Sequence, residues 1–211
     1  MLLKQLRAAS CVLRAVACSV FLAPAALNAQ ESVASSATLT LTAEQQITVA
    51  VLPLPADLRA GATVLGYDAS GKLTPLRKGT GEMTCLAPNR TISRFHVACY
   101  HNSLEPFMAR GRALRSSGVN GDAVDSARFS EVRAGKLPVP KGPASLYSLT
   151  GDWTTFDAAT LTANGARRLF VVYIPFATAQ TTGLSDKPAR GTPWIMGAGT
   201  PKAHIMFVPE M

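Results

Sequence analysis

The chain has 211 residues, 47% of them hydrophobic, with 21 Lys and Arg against 13 Asp and Glu and a formal charge of +8. That length makes one core-burying domain the default, and the absence of a fixed repeat excludes a solenoid or propeller. The bases Arg110, Arg112, Arg115, Arg128, Arg133, Arg167 and Arg168 are scattered rather than striped among aromatics, which argues against nucleic acid as a partner.

The first thirty residues read as an export leader. Lys4, Arg7 and Arg14 precede an uncharged run from Ala15 to Ala26, and small residues continue to Ala29. A basic start, a short apolar middle and a small-residue zone form a secretory signal peptide, cut after Ala29 or after Ala25. The run is shorter than the roughly 20 residues of a membrane-spanning helix, and no later stretch is longer. Cys18 lacks the preceding leucine of a lipoprotein cleavage motif. The expected organisation is a signal peptide over 1–29, a loose Ser/Thr/Ala-rich segment over 30–42 and one globular domain over 43–211. Without its leader the chain carries 18 bases and 13 acids, a mild positive balance that favours acidic ligands or surfaces.

In chain order, Thr38 to Leu41 alternates like an edge strand, and Thr42 with Gln45 forms a capping-box pattern that predicts a helix over Ala43–Leu52. Ile47, Val49 and Val51 give that segment a competing strand pattern, and Pro53 and Pro55 end it either way. Ala62 to Tyr67 and Lys72 to Lys78 flank the turn Asp68-Ala69-Ser70-Gly71 as a β-hairpin. A second hairpin pairs Glu82–Ala87 with Arg94–His101 around Pro88-Asn89-Arg90-Thr91. Four short strands in succession predict an antiparallel meander.

A helical pattern follows from the N-caps Asn102 and Ser103, with Leu104, Phe107, Met108 and Leu114 on one face and Gly118 ending it. Asp122 opens a shorter helix carrying Val124, Phe129 and Val132 and stopped by Gly135. Strands return at Leu146–Leu149, at Arg168–Ile174, which reads as central and doubly buried, and at Ala203–Val208. The expected class is α+β: a mainly antiparallel sheet, a meander of short strands, with two or three helices packed on it.

Two cysteines follow the leader. A hairpin centred on Ile92 sets Cys85 opposite Cys99, so the expected pairing is a disulfide. The candidate metal ligands are His101 and His204. His101 ends its strand just before a helix and shares a face with Cys99, while His96 points the other way. If the last strand neighbours the hairpin, His101 and His204 approach near Met83 or Met206, a donor set suited to a soft metal such as copper or to general-base chemistry. No H-E-x-x-H, H-x-H or paired C-x-x-C supports that centre, and neither G-x-S-x-G nor S-x-x-K is present. Gly197-Ala198-Gly199 lacks the spacing of a phosphate loop and reads as a turn. Trp153 and Trp194 could stack on a sugar or peptide, but ordinary core or rim use is the favoured reading of both, and Asn89-Arg90-Thr91 is a glycosylation sequon only in a eukaryotic pathway.

At Gly79-Thr80-Gly81-Glu82-Met83-Thr84-Cys85-Leu86, followed by Cys99-Tyr100 and by the ending Ala203-His204-Ile205-Met206, the chain resembles an uncharacterised exported bacterial protein family of unknown function. The resemblance implies export and a bacterial origin; it carries over no catalytic residue and no cofactor. The expectation is therefore an exported domain, periplasmic or secreted, that binds a ligand or an envelope protein without catalysis. The alternative is a metal-binding protein or hydrolase-type enzyme using His101 and His204.

Overall fold

The structure, a computed structural model, describes residues 40–208. The leader read at 1–29, and the segment after it as far as residue 39, lie outside the described residues. Eight strands form one sheet: β1 (Thr63–Tyr67), β2 (Leu73–Arg77), β3 (Met83–Leu86), β4 (Arg94–His101), β5 (Ala144–Asp152), β6 (Arg167–Tyr173), β7 (Trp194–Met196) and β8 (His204–Phe207). Their spatial order is β2-β1-β3-β4-β5-β6-β8-β7. The five α-helices are α1 (Ala43–Ala50), α2 (Ala56–Arg59), α3 (Glu105–Ser116), α4 (Asp122–Arg133) and α5 (Ala179–Thr182).

The α+β class holds, with two corrections. The helices number five among the described residues, because α2 and α5 are four-residue turns too short to leave a periodic signal. The sheet is also mixed, since β3 pairs with β1 in parallel and β2 is left on the edge. Two sequence features explain the departure from a meander. Pro75 within β2 has no N–H to donate, which suits an edge strand. After β2 the chain crosses the foot of β1 at contact distance: Gly81 donates its N–H to Gly61 O at 2.8 Å, and a Cβ on Gly79 would stand 2.2 Å from that same oxygen. Only glycine lets the backbone pass there and reach the other side of β1.

The sheet's two faces are covered by different helices. The capping box of α1 forms as its sequence predicts, with Thr42 Oγ1 accepting from Gln45 N and Gln45 Oε1 accepting from Thr42 N. From α1 and the turn after it, Ala50, Val51 and Leu54 pack with Val64, Cys85 and Cys99. On the same face Val49 joins Leu41, Phe95, Val97, Leu149 and Phe156. The opposite face carries Tyr100, Ala144, Val171 and Tyr173, packed with Leu104, in the turn just before α3, and Met108 of α3. Arg110 and Glu131 tie α3 to α4 through three hydrogen bonds of 2.6–3.0 Å.

Cys85 and Cys99 sit directly opposite each other in the β3–β4 register, as the sequence predicts, with their sulfurs 2.06 Å apart, at disulfide distance. β4 contributes the largest set of buried residues to the sheet among the described strands: Phe95, Val97, Ala98, Cys99 and Tyr100. β6 is central but not doubly buried: Val171 and Tyr173 are buried, whereas Phe170 and Val172 on its other side are half-buried. No helix among the described residues is long and apolar enough to cross a membrane.

Candidate functional site

Three turns meet at one end of the sheet: the entry to α1, the β1–β2 turn and the β3–β4 turn. Each is fixed by local hydrogen bonds. Asp68 Oδ1 accepts from Ser70 N, Ser70 Oγ and Lys72 N, and these bonds hold its carboxyl below the ordinary aspartate value. Asn89 Oδ1 accepts from Thr91 N and Thr91 Oγ1 at 2.9 and 2.8 Å. Buried Gln46 ties α1 to β1, donating Nε2 to Leu41 O and Tyr67 O while Oε1 accepts from Tyr67 N at 2.7 Å. Gly66 makes room for it, since a Cβ there would lie 2.6 Å from Gln46 Oε1.

These turns enclose a cleft of about 520 Å³, within the roughly 300–1,000 Å³ of small-molecule sites. Leu41, Ala43, Leu76 and Pro88 give it apolar walls, and Tyr67, Asn89 and Arg90 supply polar groups. Burial raises the Tyr67 phenol above its ordinary pKa, against the opposing pull of the Asn89 side chain and the Arg112 charge, so it is a neutral hydroxyl near pH 7. The Arg90 guanidinium lies 3.8 Å above the Trp153 ring, and its Nε is buried with no hydrogen-bond partner among the described residues. Trp153 is itself fixed, donating Nε1–H to Ile92 O at 3.0 Å and meeting Phe95 edge-on at 5.5 Å.

The candidate histidines occupy separate places. The His101 imidazole caps the 3₁₀ turn Asn102–Leu104, with Nδ1 accepting from Ser103 N and standing 2.8 Å from Ser103 Oγ. Met83 is its cross-strand partner. His204 is buried on β8, stacked on Tyr173 at 5.0 Å, with Nδ1 2.6 Å from Lys202 O. Burial lowers its pKa, reinforced by the Lys202 charge and opposed by the Lys202 carbonyl. β5 and β6 intervene between the two strands, a separation of about 14 Å at ~4.8 Å per strand. Residue alternation through the paired row Tyr100, Leu146, Val171 and Met206 places the imidazoles on opposite faces. The structure thus does not bring His101 and His204 together, and Met206 lies on the His204 face alone. Among the described residues, no three His, Cys, Asp or Glu side chains gather closely enough to hold a metal ion.

His96 lies on the Tyr100 face with Nδ1 2.8 Å from Thr150 Oγ1, and surrounding protein lowers its pKa although the residue remains open to solvent. Other polar clusters serve packing. Tyr100 donates to Glu105 at 2.5 Å and accepts from Arg112 at 2.7 Å, in a position that is 1% exposed. Buried Arg128 pairs with Asp125, which also receives Lys202 Nζ at 2.8 Å.

Sequence reasoning missed Tyr67, Arg90 and Gln46 because each stands in a segment that reads only as turn, strand end or helix. Trp153 packs against Phe95 and Phe156, as ordinary core or rim use predicts, and its ring face carries Arg90. In comparisons with protein-family models, curated proteins and solved structures, the chain matches none.

Proposed function

We propose that the chain is an exported, non-catalytic domain that binds a small ligand in the cleft between α1, the β1–β2 turn and the β3–β4 turn. The observation that carries this reading is the cleft itself, where apolar walls converge with a few fixed polar groups in the manner of small-molecule sites. Export is supported by the basic and apolar leader and by the cysteine pair at disulfide distance, since such bonds persist in oxidising compartments. Binding is favoured over catalysis because the polar side chains at the cleft, Gln46, Asp68 and Asn89, are each held by hydrogen bonds to the protein, and among the described residues no nucleophile–base pair lines it.

The test is titration with N-phenyl-1-naphthylamine, a neutral apolar fluorophore, read by its emission. One molecule is expected to bind per chain, and Ala69→Trp, at an exposed position on the cleft rim, is expected to weaken binding at least tenfold. No binding, or binding indifferent to Ala69→Trp, would contradict the assignment of the cleft.

A further inference from the structure

Among the described residues, the ion pairs join Arg110 to Glu131, Arg112 to Glu105, and both Arg128 and Lys202 to Asp125. Arg90 belongs to none of them. It lines the cleft with its guanidinium laid on Trp153 and its Nε without a hydrogen-bond partner. A cation so placed has its orientation fixed by the indole face while its charge is left without a counter-ion among the described residues. Asn89 adds to this donor character: its carbonyl oxygen is occupied by Thr91, so its side chain meets Tyr67 and the cleft through the amide N–H groups. The acid at the cleft, Asp68, is exposed and has one carboxylate oxygen engaged three times within its own turn.

From this arrangement we infer that the cleft selects an amphipathic carboxylate, whose head group pairs with Arg90 and whose apolar body lies against Leu41, Leu76 and Pro88. The inference rests on the cleft being the binding site and adds the chemical class of its occupant. Planarity favours this class, because the guanidinium fork matches the two oxygens of a carboxylate in a bidentate pair. The Trp153 platform holds the fork in one plane before the ligand arrives, which reduces the ordering cost of binding. The apolar walls then separate a tailed carboxylate from acetate, which would leave them in contact with water.

The test compares octanoate with octanol by titration calorimetry and by the summed emission of Trp153 and Trp194, using the whole chain. Octanoate is expected to bind at least tenfold more tightly than octanol. Arg90→Met is expected to abolish that preference, and Arg90→Lys to retain only part of it, because an ammonium keeps the charge and loses the fork. The octanoate advantage is also expected to shrink as salt rises. Thermal melting of both variants establishes that the comparison is made on folded protein. Equal affinities for octanoate and octanol, or a preference that survives in Arg90→Met, would overturn the carboxylate assignment while leaving binding of N-phenyl-1-naphthylamine intact. Failure of all three probes would overturn the cleft as a site as well.

Discussion

The two faces of the sheet are held together by different physics. Beneath α1, the face that carries Cys85 and Cys99 is apolar apart from Gln46, and an aromatic group of Phe95, Phe156 and Trp153 closes one end. Beneath α3, the face that carries Tyr100 buries Thr84, Ser148 and His204, with Arg128 of α4 and its partners behind them. The first arrangement has a sulfur pair and few groups that titrate; the second depends on coupled charges and hydrogen bonds, the loss of any of which leaves a buried polar group without its partner. Reductant therefore acts on one face and pH on the other. The cleft draws its helix and Arg90 support from the first, which gives a binding site a rigid frame.

The largest expected effect breaks the apolar face. Phe95 is fully buried and stacks on Phe156 at 5.1 Å, so Phe95→Ala should lower unfolding free energy by about 4 kcal/mol, measured from the urea midpoint. Replacing both Cys85 and Cys99 with Ala should cost about 3 kcal/mol, the entropy of a closed loop of this size. An unchanged melting temperature in reductant would contradict a stabilising role for the pair. On the other face, Asp125→Ala leaves Arg128 buried without its carboxylate. The expected cost is about 2 kcal/mol, below that of breaking a fully buried pair because Asp125 is partly exposed.

The smallest effect concerns pH and sharpens the contrast most. His204 has a lowered folded pKa, chiefly from burial. The unfolded chain therefore binds its proton more readily, and stability falls as pH drops from about 6.5, the ordinary histidine value, toward the lowered one. His204→Phe keeps a ring against Tyr173 and should flatten the pH dependence of melting in that interval. The slope that remains belongs to His96, whose pKa is lowered in the same direction. Apolar-face variants such as Phe95→Ala should leave the slope unchanged. A slope identical in wild type and His204→Phe would show that the imidazole does not couple to folding.

How far the sequence reveals this structure depends on whether the determining contacts are local. The α1 capping box, the β3–β4 register and the two longer helices follow from spacings of a few residues, and all are present. The crossing of Gly79 and Gly81 past Gly61 is a contact between distant segments, so a local reading gives a meander where the chain builds a parallel pair. Pro75 was the available signal that β2 belongs on an edge. The cleft was illegible for the same reason: Gln46, Tyr67 and Arg90 are unremarkable until three turns converge. His101 and His204 drew attention as chemistry-bearing residue types, but the strand order puts one to work as a cap and the other as a buried ring.

The most direct test of the central claim is a ¹H–¹⁵N shift map recorded while octanoate is added to the isotopically labelled chain. Shifts confined to the cleft segments 40–46, 67–76 and 88–91 and to the Trp153 indole, with 169–173 and 204–207 unmoved, are what this account predicts. Shifts centred on β6 and β8, or none at millimolar octanoate, would contradict it.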